Sequence, residues 1–190
     1  MRAFLAIPVL PPALEAFHAI RAALVADVPD VRWAPAGSAH LTLHFFGSVS
    51  AQESERALAA LRPLLSRQPV MSLRLRGLGS FPGAGDPRVL WCGVDGDCAQ
   101  LTDCAFSCRA ALSRAGFPVE DRPHRAHCTL GRPRHPWPAV ARDRWEWHAR
   151  ADPSTPSFAA DRAILYESLT ASGGVAHVPR EVLMFGATTA

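Results

Sequence analysis

One tetrad, His-x-Thr-Leu, occurs twice in this 190-residue chain, as His40-Leu41-Thr42-Leu43 and as His127-Cys128-Thr129-Leu130. In a β-strand, residues i and i+2 share a face. Each copy therefore sets an imidazole beside a hydroxyl on one side and two apolar side chains on the other. Such a strand needs a core behind it and an open surface in front. A single His-x-Thr is ordinary for a strand; two of them, each followed by Leu and one in each half of the chain, mark a surface built twice for chemistry.

The surrounding pattern supplies the rest of the scaffold. Residues 2–8 read as a short apolar strand. After Pro11-Pro12, the residues Leu14, Phe17, Ile20, Leu24 and Val25 recur at helical spacing. Residues 31–35 and 38–46 are extended. Ser50 and Glu53 form a capping box opening a helix that ends near Gln68-Pro69. Residues 70–78 alternate Met71, Leu73 and Leu75 with Ser72, Arg74 and Arg76, as a half-buried strand does. A strand over 88–94, a helix over 97–115 stopping at Gly116 and a strand over 125–131 follow. Pro133, Pro136 and Pro138 mark a loop. Residues 140–148, with Trp145 and Trp147, are expected as a strand, as are 158–169 and 179–186. Strands outnumber helices and several connections are hairpin-length, which predicts an α+β fold with antiparallel sheets. The absence of a low-complexity linker makes residues 1–190 one domain of two lobes.

Composition narrows the setting. With 48% hydrophobic residues the chain can bury a core without staples. No stretch approaches the roughly 20 apolar residues of a membrane-spanning helix, and the apolar opening is too short for a secretory leader. A soluble, cytoplasmic, monomeric protein is the expectation. The cysteines Cys92, Cys98, Cys104, Cys108 and Cys128 are odd in number and lack C-x-x-C spacing, which argues for free buried thiols rather than disulfides or a zinc ribbon. All 20 basic residues are arginine. GC-rich codon usage accounts for that, and so does a need for guanidinium forks on phosphate; position has to separate the two. Arg122, Arg125, Arg132 and Arg134 cluster around the second tetrad, beside His124.

Two imidazoles on one surface suit acid–base chemistry near neutral pH, one taking a proton while the other gives one. Across a phosphorus atom they serve an in-line displacement, with Thr42 and Thr129 donating to the non-bridging oxygens. No metal and no cofactor is called for. Arg132, three residues past Thr129, adds a charged donor. His44, two residues past Thr42, is expected on the same face. Trp33, Trp137, Trp145 and Trp147 are available for stacking on bases.

These residues resemble the two-histidine phosphoesterase superfamily, specifically the bacterial RNA 2′,3′-cyclic phosphodiesterases also called 2′-5′ RNA ligases. The likeness runs nearly the full length: Arg2-Ala3-Phe4-Leu5-Ala6-Ile7; the first tetrad with Phe45, Phe46 and Gly47; Phe81-Pro82 followed by Arg88-Val89-Leu90-Trp91; His124 to Arg132; and Leu165-Tyr166-Glu167-Ser168. Cys128 stands where a β-branched residue or Leu is usual, and His177 where this branch often has Tyr. The resemblance implies a bilobal α+β fold, two pseudo-symmetric antiparallel sheets with outer helices flanking a central cleft. It implies His40, Thr42, His127 and Thr129 as catalytic residues and Arg132 as a binding residue; Phe4, His44 and Arg125 are counted beside it as candidate substrate-binding residues. It implies hydrolysis of a ribose 2′,3′-cyclic phosphate to a 2′-phosphate, reversible without ATP to a 2′-5′ linkage. The partner is then RNA with 2′,3′-cyclic phosphate ends, of which tRNA halves are one kind. His40 is assigned as the acid and His127 as the base, although the symmetry of the two tetrads does not settle which is which. A non-catalytic RNA-end-binding module, or an enzyme for a small cyclic nucleotide or ADP-ribose cyclic phosphate, are the competing readings.

Overall fold

The computed structural model describes residues 1–83, 85–171 and 174–186. In chain order it runs β1 (Arg2–Pro8), α1 (Ala13–Asp27), β2 (Val31–Trp33), β3 (His40–Ser48), α2 (Ala51–Leu65), β4 (Met71–Phe81), β5 (Val89–Gly96) and α3 (Cys98–Arg114). It continues through β6 (Cys128–Pro133), α4 (Ala139–Arg150), β7 (Phe158–Ala160), β8 (Arg162–Ala171) and β9 (Gly174–Met184). The capping box is formed: Glu53 N–H donates to Ser50 Oγ at 3.1 Å, and Ser50 N–H to the Glu53 carboxylate at 2.7 Å.

The strands pair antiparallel in the order β7-β4-β5-β6-β3-β1-β8-β9, with β2 alongside β6. The two expected sheets are thus β3-β1-β8-β9 and β6-β5-β4-β7, joined at their centre by one register pair, Leu41 with Cys128. The lobes are not the two halves of the chain. Each half runs strand, helix, tetrad strand, helix, strand: β1-α1-β3-α2-β4, then β5-α3-β6-α4-β8. The third long strand of each half crosses to the other lobe, since β4 pairs with β5 and β8 with β1.

One sheet face packs on helices. Leu41, Leu43, Leu73, Leu75, Leu90, Cys92, Cys128 and Leu130 are buried there with Phe17, Leu24, Leu61 and Leu101. Burial of apolar surface on this scale drives folding at roughly 25 cal/mol per Å². Cys104 and Cys108 lie on the inner side of α3 as free thiols, as the four-residue spacing suggested.

Three expectations about elements need correction. Residues 140–148 are not a strand but the heart of α4. Its core-facing residues are Ala141 and Trp145, four apart, while Trp147 is 65% exposed. Two tryptophans at a spacing of two imitate strand alternation, and Pro138, expected as an interruption, is where the helix opens. Residues 158–169 are two strands, broken at Asp161, because β7 pairs with β4 in one lobe and β8 with β1 in the other. The last strand starts at Gly174 rather than near 179 and forms a long hairpin with β8.

Candidate active site

The Leu41–Cys128 pair fixes the geometry at the middle of the sheet. Extending that antiparallel register by one residue each way brings His40 beside Thr129 and Thr42 beside His127. Leu41 and Cys128 point into the core, so all four polar side chains face the cleft, each half-buried.

Both histidines are held in the same way. His40 Nδ1–H donates to Ser38 O at 2.5 Å, and His127 Nδ1–H to Arg125 O at 2.7 Å. In each case the acceptor is the carbonyl two residues earlier. A carbonyl only accepts, so Nδ1 carries the proton and Nε2 is the free nitrogen of the neutral ring. His40 is wrapped in rings: Phe4 at 4.9 Å between centroids, His177 edge-on at 5.3 Å and Tyr166 at 6.2 Å. Burial lowers its pKa from 6.5 to about 4; the Ser38 hydrogen bond opposes the shift, while His177 and His127 add to it. His127 meets Phe81 edge-on at 5.1 Å and Trp91 at 6.4 Å.

A bulge follows each threonine and decides where the next side chains go. Ala6 pairs with Thr42 but Leu5 with His44, which leaves Leu43 as an extra residue. Trp91 pairs with Thr129 but Leu90 with Gly131, which leaves Leu130 extra. Such an insertion breaks the alternation locally. His44, expected beside Thr42, is turned inward instead and is 5% exposed, packed edge-on against Phe46 at 4.6 Å. Burial first, then Arg109, lowers its pKa to about 4, against a weaker pull from Glu120; its Nε2 has no hydrogen-bond partner among the described residues. Arg132, three residues past Thr129, is exposed near the end of β6, opposite Arg32 of β2.

Phe4 is 2% exposed and backs the site, stacked on Tyr166 and touching His177 edge-on. With so little exposure it packs against the His40 ring rather than standing open to a ligand. Arg122, Arg125, Arg132 and Arg134 are all exposed. Among the described residues none of these four has an ion-pair partner, whereas Arg62, Arg74, Arg76, Arg142 and Arg144 do. Arginines elsewhere, Arg67 and Arg114 among them, also lack an ion pair among the described residues, so what marks these four is their place around the second tetrad.

Four neighbours, Trp91, Tyr166, Ser168 and His124, are visible in the sequence but receive no role from it. Trp91 stands as many positions before His127 as Phe4 does before His40, a spacing that would have paired them. Tyr166 and Ser168 on β8 reach the site only because β8 crosses lobes; Ser168 meets His177 Nδ1 at 3.4 Å. His124 joins the motifs directly: its Nε2–H donates to the Thr42 carbonyl at 2.9 Å. Burial lowers its pKa against that hydrogen bond, with Arg109 and His127 contributing.

A cleft with paired His-x-Thr strands from two related lobes defines a class. The chain belongs to the 2′-5′ RNA ligase superfamily, whose family model matches residues 8–171. Among curated relatives, RNA 2′,3′-cyclic phosphodiesterase of Thermotoga maritima is 30% identical over 92% of this chain and 91% of its own. The enzyme of that name from Escherichia coli is 31% identical over 76% and 74%. The chain spans about half the length of the relatives from Archaeoglobus fulgidus and Aeropyrum pernix, each 38% identical, with 56% and 52% of those proteins covered. Among solved structures, E. coli LigT complexed with 3′-AMP superposes with a TM-score of 0.77 at 26% identity, covering 97% of each chain. TT0787 of Thermus thermophilus shares the fold with a TM-score of 0.80 at 23% identity, over 99% of this chain and 100% of that one. No helix among the described residues is long and apolar enough to cross a membrane.

Proposed function

We propose that this protein is a phosphodiesterase that opens ribose 2′,3′-cyclic phosphate ends of RNA to 2′-phosphates, with His40, Thr42, His127 and Thr129 as its catalytic residues. The observation that carries the reading is the matched pair of imidazoles, each with Nδ1 tied to a backbone carbonyl and Nε2 left for chemistry. The relatives' names support the substrate class.

Water attacks phosphorus, the bond from phosphorus to the ribose 3′ oxygen breaks, and the 2′ ester remains. Burial keeps His40 neutral in the free protein. A neutral ring suits the acceptor of the water proton better than the donor. From sequence His40 is expected as the acid and His127 as the base; the burial of His40 favours the reverse, with His40 Nε2 taking the proton from water and His127 giving one to the leaving 3′ oxygen. The hydroxyls of Thr42 and Thr129 donate to the non-bridging oxygens as charge builds, with Arg132 as a further charged donor. Run in reverse with an RNA 5′-hydroxyl as nucleophile, the same groups form a 2′-5′ linkage without ATP, since the cyclic ester keeps the bond energy.

The deciding experiment incubates the protein with an oligoribonucleotide ending in a 2′,3′-cyclic phosphate and identifies the new end. A 2′-phosphate is expected. A 3′-phosphate, or an unchanged end despite tight binding, overturns the assignment.

A further inference from the structure

A groove of about 510 Å³ lies between the β4–β5 hairpin and α4, lined by Gly79, Trp91, Arg125, Trp137, Trp145 and Glu146 among others. We propose that this groove holds the nucleotide preceding the cyclic-phosphate end, which makes the substrate an RNA chain of at least two nucleotides rather than a cyclic mononucleotide. The inference rests on the phosphodiesterase reading above and adds a length requirement to it.

Continuity with the site is the first argument. Arg125 gives its carbonyl to His127 Nδ1 at 2.7 Å and lines the groove as an exposed residue with no ion-pair partner among the described residues. A phosphate one nucleotide along from the reacting one meets a guanidinium there, in the bidentate geometry that arginine favours.

The lining chemistry is the second. Trp91 lies across Gly79 so closely that a Cβ on Gly79 would come within 2.1 Å of the indole. That contact seats the ring at 6.4 Å from His127, where a base can stack on it. Ser80 and Trp137 line the same groove. A planar π-surface beside a guanidinium suits a base and its phosphate, and the volume lies within the roughly 300–1,000 Å³ of small-molecule sites.

The test compares kcat/KM for a 2′,3′-cyclic mononucleotide with that for a dinucleotide carrying the same cyclic end. Base stacking of the size found on aromatic side chains predicts a preference for the dinucleotide of roughly ten-fold or more. Ala149, on the α4 wall of the groove, is the place to block it. Ala149→Trp should abolish the preference and Ala149→Ser should keep it, with Ala149→Glu as a second blocking variant should the bulky one fail to fold. Equal turnover of both substrates by the unaltered protein, or a preference that survives in a folded blocking variant, overturns the proposal. Should neither substrate be hydrolysed, the phosphodiesterase reading fails by itself, and the dinucleotide is then titrated by tryptophan fluorescence. Quenching that disappears in the blocking variants upholds the groove; identical titrations in all variants overturn it.

Discussion

Acid should unfold this protein through its buried histidines, and His44 allows the effect to be measured at one residue. His44 is 5% exposed with a pKa lowered from 6.5 to about 4. In the unfolded chain it binds a proton near 6.5, whereas in the folded protein it stays neutral down to about 4. Between those values the unfolded state holds more protons, so stability is complete above the unfolded pKa and is lost as pH falls toward the folded one. At pH ~4.5 the linkage amounts to roughly 2.5 kcal/mol for this one ring. His40 is lowered to the same degree, and His124 and His177 shift in the same direction. Two such rings account for roughly 5 kcal/mol, a large share of the ~5–15 kcal/mol that holds a domain together. Denaturant unfolding monitored by circular dichroism at pH ~7 and ~4.5 gives the loss directly. His44→Phe keeps an aromatic ring against Phe46 and removes the titrating group, so its acid loss should be smaller by roughly 2.5 kcal/mol. An acid loss in His44→Phe equal to that of the unaltered protein would refute the assignment of a buried, neutral His44.

The catalytic scheme makes further claims. His40→Ala and His127→Ala should each lower turnover by roughly 10² to 10⁴-fold without changing the circular dichroism spectrum; near-normal turnover in either removes the mechanism. If His40 is the base, the acid limb of kcat/KM should fall near 4, following its lowered pKa; a limb well above that value overturns His40 as the base. Turnover should survive exhaustive treatment with EDTA, and complete loss restored by a divalent ion would point to a metal phosphoesterase using the same histidines. Gly79→Ala forces its Cβ against the Trp91 ring and should cost about 1–3 kcal/mol of stability in urea titrations.

What the sequence announces and what it hides divide along physical lines. Period-two alternation over 70–78 and the Ser50/Glu53 cap are local signals, and the chain obeys both. The two tetrads are legible because i and i+2 share a face however the strands later pair. The bulges after Thr42 and Thr129 are not, because they arise from the register against β1 and β5. That is why alternation puts His44 in the cleft when it belongs to the interior. The crossing of β4 and β8 is equally hidden, since nothing within a strand says which lobe it will join. Helix α4 is misread because Trp145 and Trp147 imitate alternation, while the contact that matters pairs Trp145 with Trp137 at 6.0 Å between centroids.

The exchanged strands carry a consequence for ancestry. Neither half of this chain holds a complete lobe, because each has surrendered its third strand to the other. A polypeptide of half the length, with a single His-x-Thr-Leu strand, would complete its sheet only by trading that strand with a second copy. The product is a strand-swapped homodimer with isologous contacts about an axis at the Leu41–Cys128 bridge. Fusing two such copies reproduces the present topology and releases each half from having to match the other. The halves now differ at His44, whose counterpart is Gly131, and at Phe4, whose counterpart is Trp91.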